Sequence, residues 1–146
     1  MTILDKTDRR IVAALQADGK LSYQNLGEAV GLSAPAAFQR VHKLESAGII
    51  TGYHARIDPA AVGKPLVAFV RVRPGPEADI AQLLARWRRS AVVVECHRVT
   101  GVDGYLLKLR LDGVATLGAL LDAVHAAGCT AESEVALQTV FERWTI

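Results

Sequence analysis

Ser33, Ala36, Gln39, Arg40 and Lys43 recur three and four positions apart, and as a set they suit the reading of duplex DNA. A glutamine amide can bond a base edge, arginine and lysine reach bases or phosphates, a serine hydroxyl bonds a phosphate, and a small alanine permits close approach. Such spacing puts all five on one side of a helix. His42 and His54 lie on the same stretch and just after it, where a phosphate or solvent role fits better than metal binding.

A second constellation is Glu95-Cys96-His97, a thiol between a carboxylate and a base. On a strand, alternation sends Cys96 to the face opposite both neighbours, so a nucleophile and its base cannot converge and no catalytic residue is expected. Cys96 and Cys129 lack any metal-ligand spacing and read as reduced, buried thiols. No metal and no cofactor is expected. Arg86, Arg88 and Arg89 gather at a helix C-terminus, where the dipole favours them; His125 reads as a partly buried helix residue and Trp144 as a packing anchor.

The elements that would position these residues follow from caps and periodicity. Asp5 caps a helix to Ala17 with Asp8 in its first turn and Ile11, Val12 and Leu15 inward. Ser22 caps Tyr23 to Val30, stopped by Gly31; Ser33 caps a third helix with Pro35 early and Ala37, Val41 and Leu44 inward, ending at Gly48. Three such helices make a helix-turn-helix domain. Ile49 to Ile57 reads as a strand or extended arm, and Asp58 to Pro65 as a linker.

Beyond it come a strand (Leu66 to Arg73), a helix with Ile80, Leu83, Leu84 and Trp87 on one side, strands at Val92 to Val99 and Tyr105 to Leu111, a helix from Val114 to Ala127, and a last strand from Ala131 to Val140. The order βαββαβ is that of a ferredoxin-like sandwich, giving an α+β protein with domains at 1–50, an arm at 51–64 and a second domain at 65–146. Its many valines and leucines predict that a second copy buries the sheet face the helices leave open.

Composition narrows the class. The chain has 146 residues, 51% of them hydrophobic, and a net charge of +2. That is enough for one or two small cores, and too little charge for an indiscriminate polycation. Residues 1–63 hold 7 Lys and Arg against 6 Asp and Glu, so attraction to DNA must be local to one face or multiplied by assembly. No run approaches the about 18 to 20 apolar residues of a membrane span, and charges from Asp5 onward argue against a secretory leader, so a cytoplasmic protein is expected.

With the helix-turn-helix, the Gly48-Ile49-Ile50-Thr51-Gly52-Tyr53-His54-Ala55 arm and Glu95-Cys96-His97-Arg98-Val99-Thr100-Gly101 inside a βαββαβ domain, the chain resembles the Lrp/AsnC family of transcriptional regulators over nearly its whole length. The resemblance implies sequence-specific DNA binding by the first domain. It also implies homodimers assembling further, often to octamers, and a small-molecule effector, typically an amino acid, bound between dimers by the second. The implied effector positions are Gly101, Val102, Asp103, Gly104, Glu132 and Glu134, and Tyr53 and His54 would join dimer contacts.

Two positions depart from the family pattern. Asp103 stands one place early with Gly104 at the usual aspartate site, and Glu132 and Glu134 replace Thr or Ser. Three neighbouring carboxylates raise one another's pKa unless a cation intervenes, so a basic ligand is expected, its carboxylate on the amides of Gly101 to Gly104. Siroheme decarboxylases resemble the same two-domain fold and form an alternative, but a polycarboxylate substrate fits poorly beside Glu132 and Glu134. A second alternative is a DNA-compacting protein without an effector.

Overall fold

The first helix begins where two carboxylates can cap it. In the computed structural model, which describes residues 4–143, the Asp8 amide donates to Asp5 Oδ1 at 2.7 Å and the Asp5 amide to Asp8 Oδ2 at 3.3 Å, a reciprocal box opening α1 (Lys6–Ala17). Trp144 lies outside the described residues. Ser22 accepts from the Asn25 amide to start α2 (Tyr23–Val30), which stops at left-handed Gly31, φ 77°. Ser33 then starts α3 (Ala34–Ser46), with Pro35 in the first turn.

Ile11, Leu26, Val30, Ala37, Val41 and Leu44 form the core of this unit, with Ile49 and Ile50 packed against them. Arg10 closes the end of α2, donating to the carbonyls of Ala29 at 2.9 Å and Val30 at 3.1 Å. The angle between α2 and α3 is set at Gly27. A Cβ there would stand 2.6 Å from the Leu32 carbonyl oxygen, so the turn into α3 packs directly on the backbone of α2.

Residues 51–65 form neither helix nor strand, with turns at 59–63, so the expected arm does not join the sheet. Contacts divide the chain into a unit running to Arg56, which also takes Glu142 and Arg143, and a second unit from Ile57 to Phe141.

The second unit holds β1 (Leu66–Pro74), α4 (Ile80–Arg89), β2 (Val93–Arg98), β3 (Tyr105–Leu111), α5 (Val114–Ala126) and β4 (Cys129–Val135). The strands form one antiparallel sheet in the order β2-β3-β1-β4. That is the expected βαββαβ sandwich. Ala68, Val70, Val72, Leu107, Leu109 and Leu111 point to one face and are sealed by Leu83 and Trp87 of α4 and Leu117 and Val124 of α5. Trp87 meets the Tyr105 ring edge-on at 5.8 Å.

Several expectations are corrected here. The last strand is shorter and earlier, ending at Val135, and Leu137, Val140 and Phe141 beyond it are exposed. Cys129 is buried as expected, but Cys96 is exposed, as are His125 and Leu84. The open sheet face is not an apolar one. The helices take most of the valines and leucines of the alternating strands, and the other side carries Arg71, Arg73, Glu95, His97, Lys108, Arg110, Glu132 and Glu134 around Val67, Phe69 and Leu106, as the register requires.

Because backbone rather than a flexible side chain meets position 27, Gly27→Ala must displace the α2–α3 turn. We expect the first unit to lose about 1 to 3 kcal/mol from this overpacking, read by urea unfolding. A change near zero would mean that the turn yields freely.

Candidate nucleic-acid interface and ligand face

The five residues expected at DNA do not share one fate. Gln39 and Lys43 are exposed on the outward side of α3, Ser33 is exposed at its start, and Ala36 is half-buried. Ser33 Oγ accepts from the Ala36 amide at 3.4 Å, which leaves its hydroxyl hydrogen able to donate to a phosphate. Arg40 instead turns toward the start of α1. One guanidinium nitrogen lies 2.6 Å from Asp5 Oδ2 and 2.7 Å from Asp8 Oδ1, so the carboxylates that cap α1 also hold α3.

The electrostatics follow this geometry. The Asp8 amide and then Arg40 hold the Asp5 carboxyl below its ordinary range, and Asp5 and Asp8 push the Arg40 guanidinium further up.

With Arg40 committed inward, the outward side of α3 is continued by residues that the sequence pattern passed over. Phe38 is 44% exposed; it meets the Tyr23 ring edge-on at 5.2 Å and stacks on His42 at 6.1 Å, with 3° between the planes. Pro35 is exposed one turn before. Helical spacing from the buried stripe of Ala37, Val41 and Leu44 would have located them, since 35, 39 and 42 lie opposite it and Phe38 lies on its flank. Tyr53 of the arm donates to Glu45 Oε1 at 3.0 Å, and burial followed by that carboxylate pushes its hydroxyl up to about 12.

In the second unit, Glu95 and His97 do stand together on one sheet face, with Glu95 Oε2 3.0 Å from His97 Nε2 and Oε1 3.0 Å from Lys108 Nζ. His97, with Lys108, holds the Glu95 carboxyl below its usual value. Cys96 pairs in register with buried Leu107 on the other face, and burial pushes its thiol up, away from a reactive thiolate.

The loop from Gly101 to Gly104, where the sequence resemblance expects an effector, is gripped by Arg73, which donates to the Val102 carbonyl at 3.2 Å and to Asp103 Oδ1 at 3.1 Å. Arg71 lies 2.5 Å from Glu134 Oε1 and opposite Glu132 in register, and Glu134 raises the Arg71 pKa. Two of the three carboxylates expected to form an uncompensated cluster are therefore already paired, Glu134 with Arg71 and Asp103 with Arg73. The inference to a cationic ligand loses its footing with them. Among the described residues, no group of three or more His, Cys, Asp or Glu side chains is arranged to hold a metal.

A capped helix-turn-helix followed by a βαββαβ unit is the domain order of a two-domain helix-turn-helix regulator. Residues 4–45 match the AsnC-type helix-turn-helix domain and residues 67–145 the Lrp/AsnC ligand binding domain. The chain belongs to the Lrp/AsnC family of DNA-binding transcriptional regulators.

Among its relatives, it is 36% identical over 139 residues to the HTH-type transcriptional regulator LrpA of Mycobacterium tuberculosis, covering 94% of this chain and 93% of that one. It is similar also to the leucine-responsive regulatory protein of Rhizobium meliloti, 37% identical with 77% and 74% covered. A transcriptional regulator of Neisseria meningitidis solved with L-methionine superposes with a TM-score of 0.91 at 30% identity, covering 99% and 96%.

Arg40→Ala is expected to lower the thermal midpoint of the first unit near neutral pH. A carboxyl depressed in the folded state stabilises above its unfolded pKa, about 3.9, and that contribution is lost as pH falls through the lower folded value. The gap between wild type and variant should therefore begin to narrow at about pH 4 and go on closing as pH falls, as read by circular dichroism melts; a gap constant down to about pH 2 would remove the Asp5 carboxylate as its cause.

Proposed function

We propose that residues 1–50 bind operator DNA with α3 in the major groove, that 51–64 form a connecting arm, and that 65–146 bind an effector and oligomerise. The observation that carries the DNA reading is the division of α3: its apolar stripe and Arg40 are engaged within the unit, while Gln39 and Lys43 project outward with Ser33 exposed at the helix start. Gln39 bonds base edges, Lys43 and Ser33 bond phosphates, and Ala36 lets the backbone approach. Arg40 contributes by holding the helix rather than by reaching a base.

The effector is a free amino acid at Gly101, Val102, Asp103, Gly104, Glu132 and Glu134. The complex of the Neisseria relative with L-methionine, and that of a feast or famine regulatory protein of Mycobacterium tuberculosis, TM-score 0.87 and 34% identical over 99% of both chains, support this class. The working form is a homodimer or a larger assembly, an octamer by family resemblance, and exposed Leu137, Val140 and Phe141 support a partner that covers them. The protein acts in the cytoplasm and is not an enzyme. Two features support those readings: no helix among the described residues is long and apolar enough to cross a membrane, and Cys96 stands apart from Glu95 and His97.

A binding site selected from a random duplex library tests the DNA reading. Gln39→Ala should weaken that site by about 1 to 3 kcal/mol, whereas Lys43→Ala should weaken all sequences alike and reduce the salt slope by about 1. Unchanged affinity in both variants would place α3 outside the groove.

Because Arg71 already pairs with Glu134 and Arg73 with Asp103, neutral amino acids should bind at least as tightly as lysine or arginine, with Glu134→Gln altering the response. Calorimetric titration of the twenty amino acids reads this, and a response to basic ones alone would restore the cationic ligand.

A further inference from the structure

Phe38 is an exposed aromatic ring on a helix whose neighbouring residues are suited to DNA. Nearly half of its surface is open, and its ring meets Tyr23 edge-on and stacks on His42. It follows Pro35 by three positions, precedes Gln39 by one and His42 by four, so the four side chains occupy the i, i+3, i+4 and i+7 positions of one helical side. Homeodomain recognition helices read the major groove with that spacing. Bases there present hydrogen-bonding edges everywhere except at one apolar point, the C5-methyl group of thymine. A hydrocarbon ring placed next to the Gln39 amide has no other base feature to match.

We infer that Phe38 is a specificity-determining residue that recognises thymine by packing its ring against the C5-methyl group, beside the base contacted by Gln39. This rests on the proposal that α3 enters the major groove. Tyr23 and His42 are positioning residues: the first, at the start of α2, braces the ring edge, and the second holds its plane from one turn further along α3. Phe38, Tyr23 and His42 form an exposed cluster of rings, and burying the open part of the Phe38 ring on a methyl group takes apolar surface of both partners out of water. Selectivity arises because cytosine at the same place presents no methyl group and adenine or guanine presents polar atoms.

The test uses the full chain and the duplex site selected from a random library, resynthesised with deoxyuridine in place of each thymine in turn. That exchange removes only a methyl group and keeps every Watson–Crick bond. Wild type should lose about fourfold in affinity at one or more thymines, the value of one buried methyl group, in gel-shift titrations at fixed salt.

Phe38→Ala should bind the thymine and uracil sites equally, and Phe38→Leu should keep part of the difference. Since the decisive comparison is between two DNAs bound by the same wild-type protein, it does not depend on the variants folding. Equal affinity of wild type for both DNAs at every thymine overturns the inference, as does a selected site without thymine or a full methyl preference in Phe38→Ala. Loss of affinity in Gln39→Ala alongside a flat deoxyuridine series would overturn the role of Phe38 alone. Indifference to both would overturn the docking of α3.

Discussion

Arg40 decides what α3 can do. By bonding the two carboxylates that cap α1, its guanidinium makes the start of one helix and the rotation of another a single problem with one solution. The pair is solvent-accessible, so its energetic weight is modest; its geometric weight is larger, because two bonds from one nitrogen fix the angle around the α3 axis. Turned so, the helix hides Ala37, Val41 and Leu44 and offers Pro35, Phe38, Gln39, His42 and Lys43. Gly27 supplies the second constraint, letting the turn press on α2.

Much of this architecture is legible in the chain itself. Ser22, Ser33 and Asp5 mark helix starts because their side chains can satisfy amides that have no helical partner, and the strand–helix order after Leu66 follows from a change of period. What stays hidden is long-range. Nothing local distinguishes Arg40 from Lys43 as a DNA ligand; only the arrival of Asp5 and Asp8, 35 and 32 positions away, separates them. The same blindness covers Arg71 and Glu134, 63 positions apart, whose pairing lessens the charge imbalance that the acidic residues of β4 imply when read alone.

Strand ends are illegible for another reason. Apolar residues continue past Val135 to Phe141, so periodicity extends β4, but pairing with β1 stops there. Apolar content reports what must be covered and is silent about what covers it. The open sheet face carries the complementary lesson: alternation sends valine and leucine to the helices and leaves arginine, lysine, histidine and glutamate outside in local pairs. A face built this way associates selectively, since a partner must match its charges rather than merely exclude water.

The interleaving of two jobs along α3 bears on how such a protein diversifies. Residues that hold the helix alternate with residues that meet solvent, and the second group contributes little to the core. Duplicated copies could exchange Phe38, Gln39 or Lys43 for other side chains and acquire new target sites while the scaffold stays indifferent, so divergence of regulatory circuits need not pass through unstable intermediates.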